Sequence, residues 1–110
     1  METNPEKFVW EAPTKNKDGT PIKYELEYEL GLVGDDAKIR SLMVVPGQLR
    51  ENDGRYEAPI ADAGLDYGVH KAVIRSFNKA TPDKVSQWSE PVEFVLSEEV
   101  PKTPVGFTVK

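Results

Sequence analysis

The residues of this chain that could do chemistry are few and scattered. There is one histidine, His70, in the run VHKAVIRSFN. A histidine works as a base or a ligand when a second polar group is held at a fixed spacing beside it. No serine, cysteine or carboxylate keeps such a spacing here, so His70 is expected to be a structural residue in a strand or bend. Carboxylates pair at Asp35–Asp36 and Glu98–Glu99, and Asp53 precedes Gly54. Two acids divide acid and base roles only in a cleft that splits their pKa values. These lie in loop-like stretches and are expected to be solvated. The VGDD stretch lacks the run of oxygen ligands that calcium prefers. GLVG is too short, and precedes no helix that could cradle a phosphate. With no cysteine in the chain, thiolate metal sites and disulfides are excluded. The expectation is a chain with no catalytic residue, no metal and no cofactor.

The bulk numbers narrow the partners. The 110 residues suit one domain with one core, and the net charge is −5. Lysines and arginines are spread between acids, so nucleic acid is excluded as the main partner. METNPEKFVW has neither a basic nor an apolar signal region. No apolar run approaches the roughly 20 residues of a membrane span. A single chain of this kind is either a small gene product made in a cytoplasm or a piece cut from a longer one.

Nine prolines and eight glycines punctuate the chain. Between them lie short runs with alternating apolar residues, and no stretch has helical periodicity. This predicts an all-β, antiparallel two-sheet sandwich. Strands are expected over residues 7–12, 22–30, 37–45, 55–60, 69–78 and 88–96. The cleanest is IKYELEYEL, where Ile22, Tyr24, Leu26, Tyr28 and Leu30 alternate with charged residues. In 69–78, His70, Ala72, Ile74 and Ser76 are placed inward. The other register would bury Lys71 and Arg75. The core is expected to include Trp10, Tyr24, Leu26, Tyr28, Ile74 and Phe94.

The order FVWEAP, DGTPIKYELEY, VIRSFN, SQWSEPVEF resembles a fibronectin type III domain over roughly residues 6–97. In that family a tryptophan marks strand B, matched by Trp10. A Tyr-x-hydrophobic-x-Tyr run fills strand C, matched by Tyr24, Leu26 and Tyr28. Strand F ends in a small residue and then asparagine, matched by Ser76 and Asn78. Strand G follows a Ser/Trp/Pro phrase, matched by Ser86 to Pro91. The resemblance also implies a corner tyrosine at the start of strand F. His70 stands there by spacing and Tyr67 three residues earlier; an insertion that gives Tyr67 the role is the favoured reading. The family's opening strand A is missing from the front, where residues 1–5 form only a tail.

An A-like phrase instead closes the chain. Residues 98–110 are a proline-containing arm, in which Pro104, Val105, Phe107 and Val109 resemble strand A. The arm could pair with its own sheet edge, pair with the edge of a neighbouring copy, fray, or be the start of a further domain. Val73, Phe77 and Val95 are placed outward and form a candidate docking face. The resemblance implies a non-enzymatic structural or binding module. The favoured reading is a virion component (a phage decoration, tail or fibre protein) or a surface-assembly component. It would dock on a larger protein or on copies of itself, as a homo-oligomer, on a virion or an extracellular surface. The alternative is an excised adhesion or spacer module of a secreted or surface protein.

Overall fold

The computed structural model describes residues 1–46, 48–49 and 54–110. The described chain is all-β. Its strands are β1 (Glu2–Thr3), β2 (Lys7–Trp10), β3 (Leu26–Val33), β4 (Ile39–Val45), β5 (Gln48–Leu49), β6 (Tyr56–Pro59), β7 (Gly68–Asn78) and β8 (Val92–Leu96). The larger sheet runs β1-β8-β7-β3-β4; the smaller is β2-β6 with the two-residue β5 at its margin. Neighbours are antiparallel except for β1 and β8.

The alternation in β3 dictates how the larger sheet faces. Tyr28 and Leu30 are buried, and Leu32 packs against the core. β7 places Ser76, Ile74 and Ala72 opposite those three residues. The charged residues of β7 therefore fall on the outer face, where Lys71 meets Glu93 at 3.5 Å and Arg75 meets Glu29 at 2.6 Å. A one-residue slip would carry both cations into the core, which is why this register is specified.

The smaller sheet closes over that inner face. Phe8 of β2 meets Phe94 of β8 edge-on, with ring centroids 5.8 Å apart, and Ile60 completes the contact. A second aromatic group joins the sheets nearer the end of β2. Trp10, Tyr28 and Tyr56 have centroids 5.1–6.4 Å apart. Burial, and then Tyr56 beside it, push the Tyr28 hydroxyl above its ordinary pKa.

In three places the chain departs from the sequence pattern. Strand β3 begins at Leu26, not at residue 22. β7 ends at Asn78, opposite Leu26; past it the Glu25 carbonyl still accepts from the Lys79 N–H at 3.0 Å, but residues 22–24 have no partner in the sheet. They are drawn instead into the preceding turn, where Lys15 bridges Pro21 and the Ile22 N–H donates to the Thr14 carbonyl at 3.1 Å. Tyr24 is consequently 39% exposed. In β4 the register shifts at Leu30/Gly31, which sets one extra residue against β3. That β-bulge turns two consecutive residues, Leu42 and Met43, toward the core.

The third departure is at the front of the chain. Glu2 and Thr3 pair in parallel with Phe94 and Val95. Asn4, at φ 51°, turns the chain away. It donates its N–H to the Val95 carbonyl at 2.7 Å and accepts from the Ser97 N–H at 2.8 Å. The first residues are thus a short edge strand rather than a free tail, and the expectation of a purely antiparallel sandwich with an empty front is corrected.

Candidate functional site

The chemistry-bearing residues stay apart. His70 Nε2 lies 2.7 Å from the Asp66 carbonyl, four residues upstream, and its ring leans on Phe94 at 5.6 Å. Tyr67 is 69% exposed. At this bend the bond to upstream backbone that is seen is that of His70, whereas the favoured reading assigns the role to Tyr67. Asp36 accepts from the Lys38 N–H at 3.1 Å and pairs with Arg40 at 3.2 Å, so it shapes the β3–β4 turn. Glu99 accepts from the Asn4 amide at 3.2 Å. Asp53 lies outside the described residues. Among the described residues, no three His, Asp or Glu side chains come together as a metal site.

The outer face of the larger sheet is built rather than bare. Ser86 and Ser89 run beside β7 and complete its ladder with their hydroxyls. Ser76 N–H donates to Ser86 Oγ and Ile74 N–H to Ser89 Oγ, each at 3.0 Å; the Ser86 and Ser89 N–H groups return bonds to the same two residues at 2.8 Å. This side-chain pairing lets the chain between them bulge outward, and β8 starts only at Val92. Trp88 folds onto the sheet. A Cβ on Gly31 would lie 3.1 Å from Trp88 Cη2 and 2.8 Å from Ile39 Cγ2, so only glycine admits this approach. The Arg75 guanidinium stands 4.2 Å from the Trp88 ring centroid, within cation–π range.

This placement decides the docking-face residues. Val73 pairs with Gly31, the residue that Trp88 approaches, and is 4% exposed. Phe77 and Val95 are half-buried. Val95 sits between Thr3 and Val69, and Arg75 separates Phe77 from Val73. The structure does not bring Val73, Phe77 and Val95 into one apolar stripe.

Glu29 anchors the same face. The Ser41 hydroxyl, and then Arg75, hold its carboxyl below the ordinary value of 4.5, against the opposing effect of burial. A lowered folded pKa contributes stability above the unfolded value, lost as pH falls through the folded one. The unfolding free energy is expected to drop as pH falls below about 4.5. Glu29→Gln is expected to flatten that drop in urea titrations, and equal slopes would remove Glu29 from the account.

Two features remain that could contact a partner. The first is the arm. Residues 97–110 belong to no strand. Val105, Phe107 and Val109 are 95%, 91% and 91% exposed, and Pro104 before them is exposed too. The arm does not pair with its own sheets. Opposite this unused strand pattern lies an unused edge. The Ile60 N–H donates to the Glu6 carbonyl at 2.9 Å. In an antiparallel ladder alternate residues point their backbone groups to opposite sides. Glu6, Phe8 and Trp10 therefore address β6, while Lys7 and Val9 direct theirs outward, where no described strand takes them.

The second feature is a cleft of about 560 Å³ at the end of the sandwich where β3 begins and β7 has ended. Its walls include Tyr24, Leu26, Tyr28, Tyr56, Pro13 and Pro46, with Glu25, Glu27 and Lys79 at the margin. Tyr24 is held by a hydrogen bond from its hydroxyl to Asn16 Oδ1. Asn16 is itself fixed by its side-chain amide to Thr20 Oγ1 at 3.1 Å. Of the expected core residues, Trp10, Tyr28, Ile74 and Phe94 lie in or against the core; Leu26 and Tyr24 line this cleft. The cleft was not read from the sequence. Its signal was there in the prolines flanking the predicted strands and the tyrosines at their ends.

No protein-family model matches this chain, and neither a curated protein nor a solved structure matches it.

Proposed function

We propose that this chain is a non-enzymatic assembly module, a fibronectin type III-like sandwich that docks through residues 98–110 on copies of itself or on a larger protein of a virion or cell surface. One observation carries the reading. Three apolar side chains at alternate positions stand more than nine-tenths exposed on an arm that leaves a body with its own closed core. Exposed apolar groups in such a pattern gain most by joining a sheet edge, which supplies main-chain bonds and side-chain pockets together. The bare outward side of β2 is the receiving edge. The connectivity, with β8, β7, β3 and β4 facing β2 and β6, supports the fibronectin-like reading.

Deletion of residues 98–110 tests it. The melting temperature is expected to stay within about 2 °C, because the arm lends the body little more than the Glu99 contact. Self-association of the full chain, followed by sedimentation, is expected to vanish. A fall in melting temperature at constant monomer mass would place the arm on its own sheet instead. No change in either would overturn the reading.

A further inference from the structure

We infer that the tyrosine-lined cleft is a binding site for an extended proline-containing peptide, and that its occupant is Val100–Pro104 of a second copy. The inference rests on the assembly reading above and names the contact that would direct it.

The arm carries the sequence VPKTP at residues 100–104. Proline fixes φ near the polyproline II value and restricts the residue before it to extended backbone. A polyproline II helix repeats every three residues, so Pro101 and Pro104 project from one face. Such ridges dock in grooves walled by aromatic rings, and the ligand binds at low entropic cost because it is already extended. The cleft supplies those walls in Tyr24 and Tyr56, with the buried Tyr28 behind them and Tyr24 fixed in place through Asn16. Glu27 at its margin has the charge to meet Lys102.

The occupant cannot be the chain's own arm. β8 ends at Leu96 opposite Gly68, the first residue of β7, while the cleft begins level with Ser76, the partner of Tyr28, and runs past Asn78. Eight to ten residues of β7 separate the two poles by about 26–33 Å. From Leu96, Pro101 reaches at most about 18 Å, so the two prolines of the same chain cannot both lie in the cleft. The arm of one molecule and the cleft of another are complementary parts at opposite poles. The contact is head-to-tail, and repetition gives rings or filaments.

The cleft also sets the direction of the rest of the arm. Ala12, Pro13 and Thr14 line it, directly after β2. An arm with its prolines there, continuing antiparallel to β2, lays Val105–Val109 beside the outward backbone groups of Val9 and Lys7.

The test uses full-length chains and sedimentation. Tyr24→Ala is expected to weaken self-association about tenfold or more. The paired change Pro101→Ala/Pro104→Ala, which leaves Val105, Phe107 and Val109 in place, is expected to do the same. Neither changes a residue of the core, and an unaltered melting temperature confirms that the body is intact. Should deletion of residues 98–110 abolish association while either variant retains it, the inference falls and the assembly reading stands. Should the full chain prove monomeric throughout, the inference falls, because its occupant is a second copy, and the assembly reading is left with docking on a larger protein; should deletion leave association unchanged, both fall.

Discussion

Replacing Phe94 by alanine is expected to cost about 3–5 kcal/mol of folding free energy. Phe94 lies on β8, near the margin of the larger sheet, yet it is 4% exposed. It meets Phe8 of the opposite sheet edge-on and the His70 ring beside it. Truncation would leave a cavity between the two sheets where their contact is aromatic, and rings joined edge to face cannot slide inward to refill it. Among the described residues no large side chain is less than 2% exposed, so the core has little reserve. Domains of this size hold about 5–15 kcal/mol in total. The variant is therefore expected to sit near its unfolding threshold at room temperature. Val92→Ala, two residues away on the same strand but 59% exposed, is the control, with an expected loss under about 1 kcal/mol. Urea denaturation of both variants measures the difference. A Phe94 cost no greater than the Val92 cost would mean that the sheets are held together elsewhere.

Trp88→Ala is the second large effect, at about 2–4 kcal/mol. The residue belongs to no strand, and a loop tryptophan is ordinarily a modest contributor. Here its ring lies against Gly31, the partner of the buried Val73, and carries Arg75 above its face. Losing it exposes apolar surface and leaves the guanidinium with Glu29 alone. A double-mutant cycle with Arg75→Ala separates the two contributions. The expected coupling is about 0.5–2 kcal/mol, in the range of a partly desolvated cation–π contact. Additive losses would show that Trp88 acts only by covering the sheet.

Much of the larger sheet was legible in the sequence, for a reason that differs from strand to strand. In β3 and β7 the charges forbid the wrong face, so Glu27, Glu29, Lys71 and Arg75 identify the inward residues without any knowledge of partners. Where no charge forbade a face, the pattern misled. Tyr24 alternates correctly with Tyr28, but alternation cannot report that β7 has ended. The strand over residues 37–45 was expected without its bulge at Leu42 and Met43, because a bulge is a property of two strands and the sequence shows only one at a time. Val73 was assigned correctly to the outer face and then expected to be exposed. It is nonetheless 4% exposed, beside Gly31, the residue that Trp88 approaches from fifteen residues further on along a segment held by two serine hydroxyls. The cleft is harder still to foresee. It gathers Pro13, Tyr24, Pro46 and Tyr56 from separate turns, and only the closing of the sheets brings them together.

The clasp at Asn4 has a mechanical consequence. β1 and β8 are parallel, with Glu2 beside Phe94 and Thr3 beside Val95. The first strand is entered from its start and the last is left from its end. Tension applied between the two ends of the chain would therefore load that patch in shear. The bonds of Asn4 to Val95 and Ser97 would bear the force together with the β1–β8 pairing rather than open one after another. A unit strung into a line by its termini would meet pulling first at this clasp, while the aromatic contact of Phe8 and Phe94 lay shielded behind it.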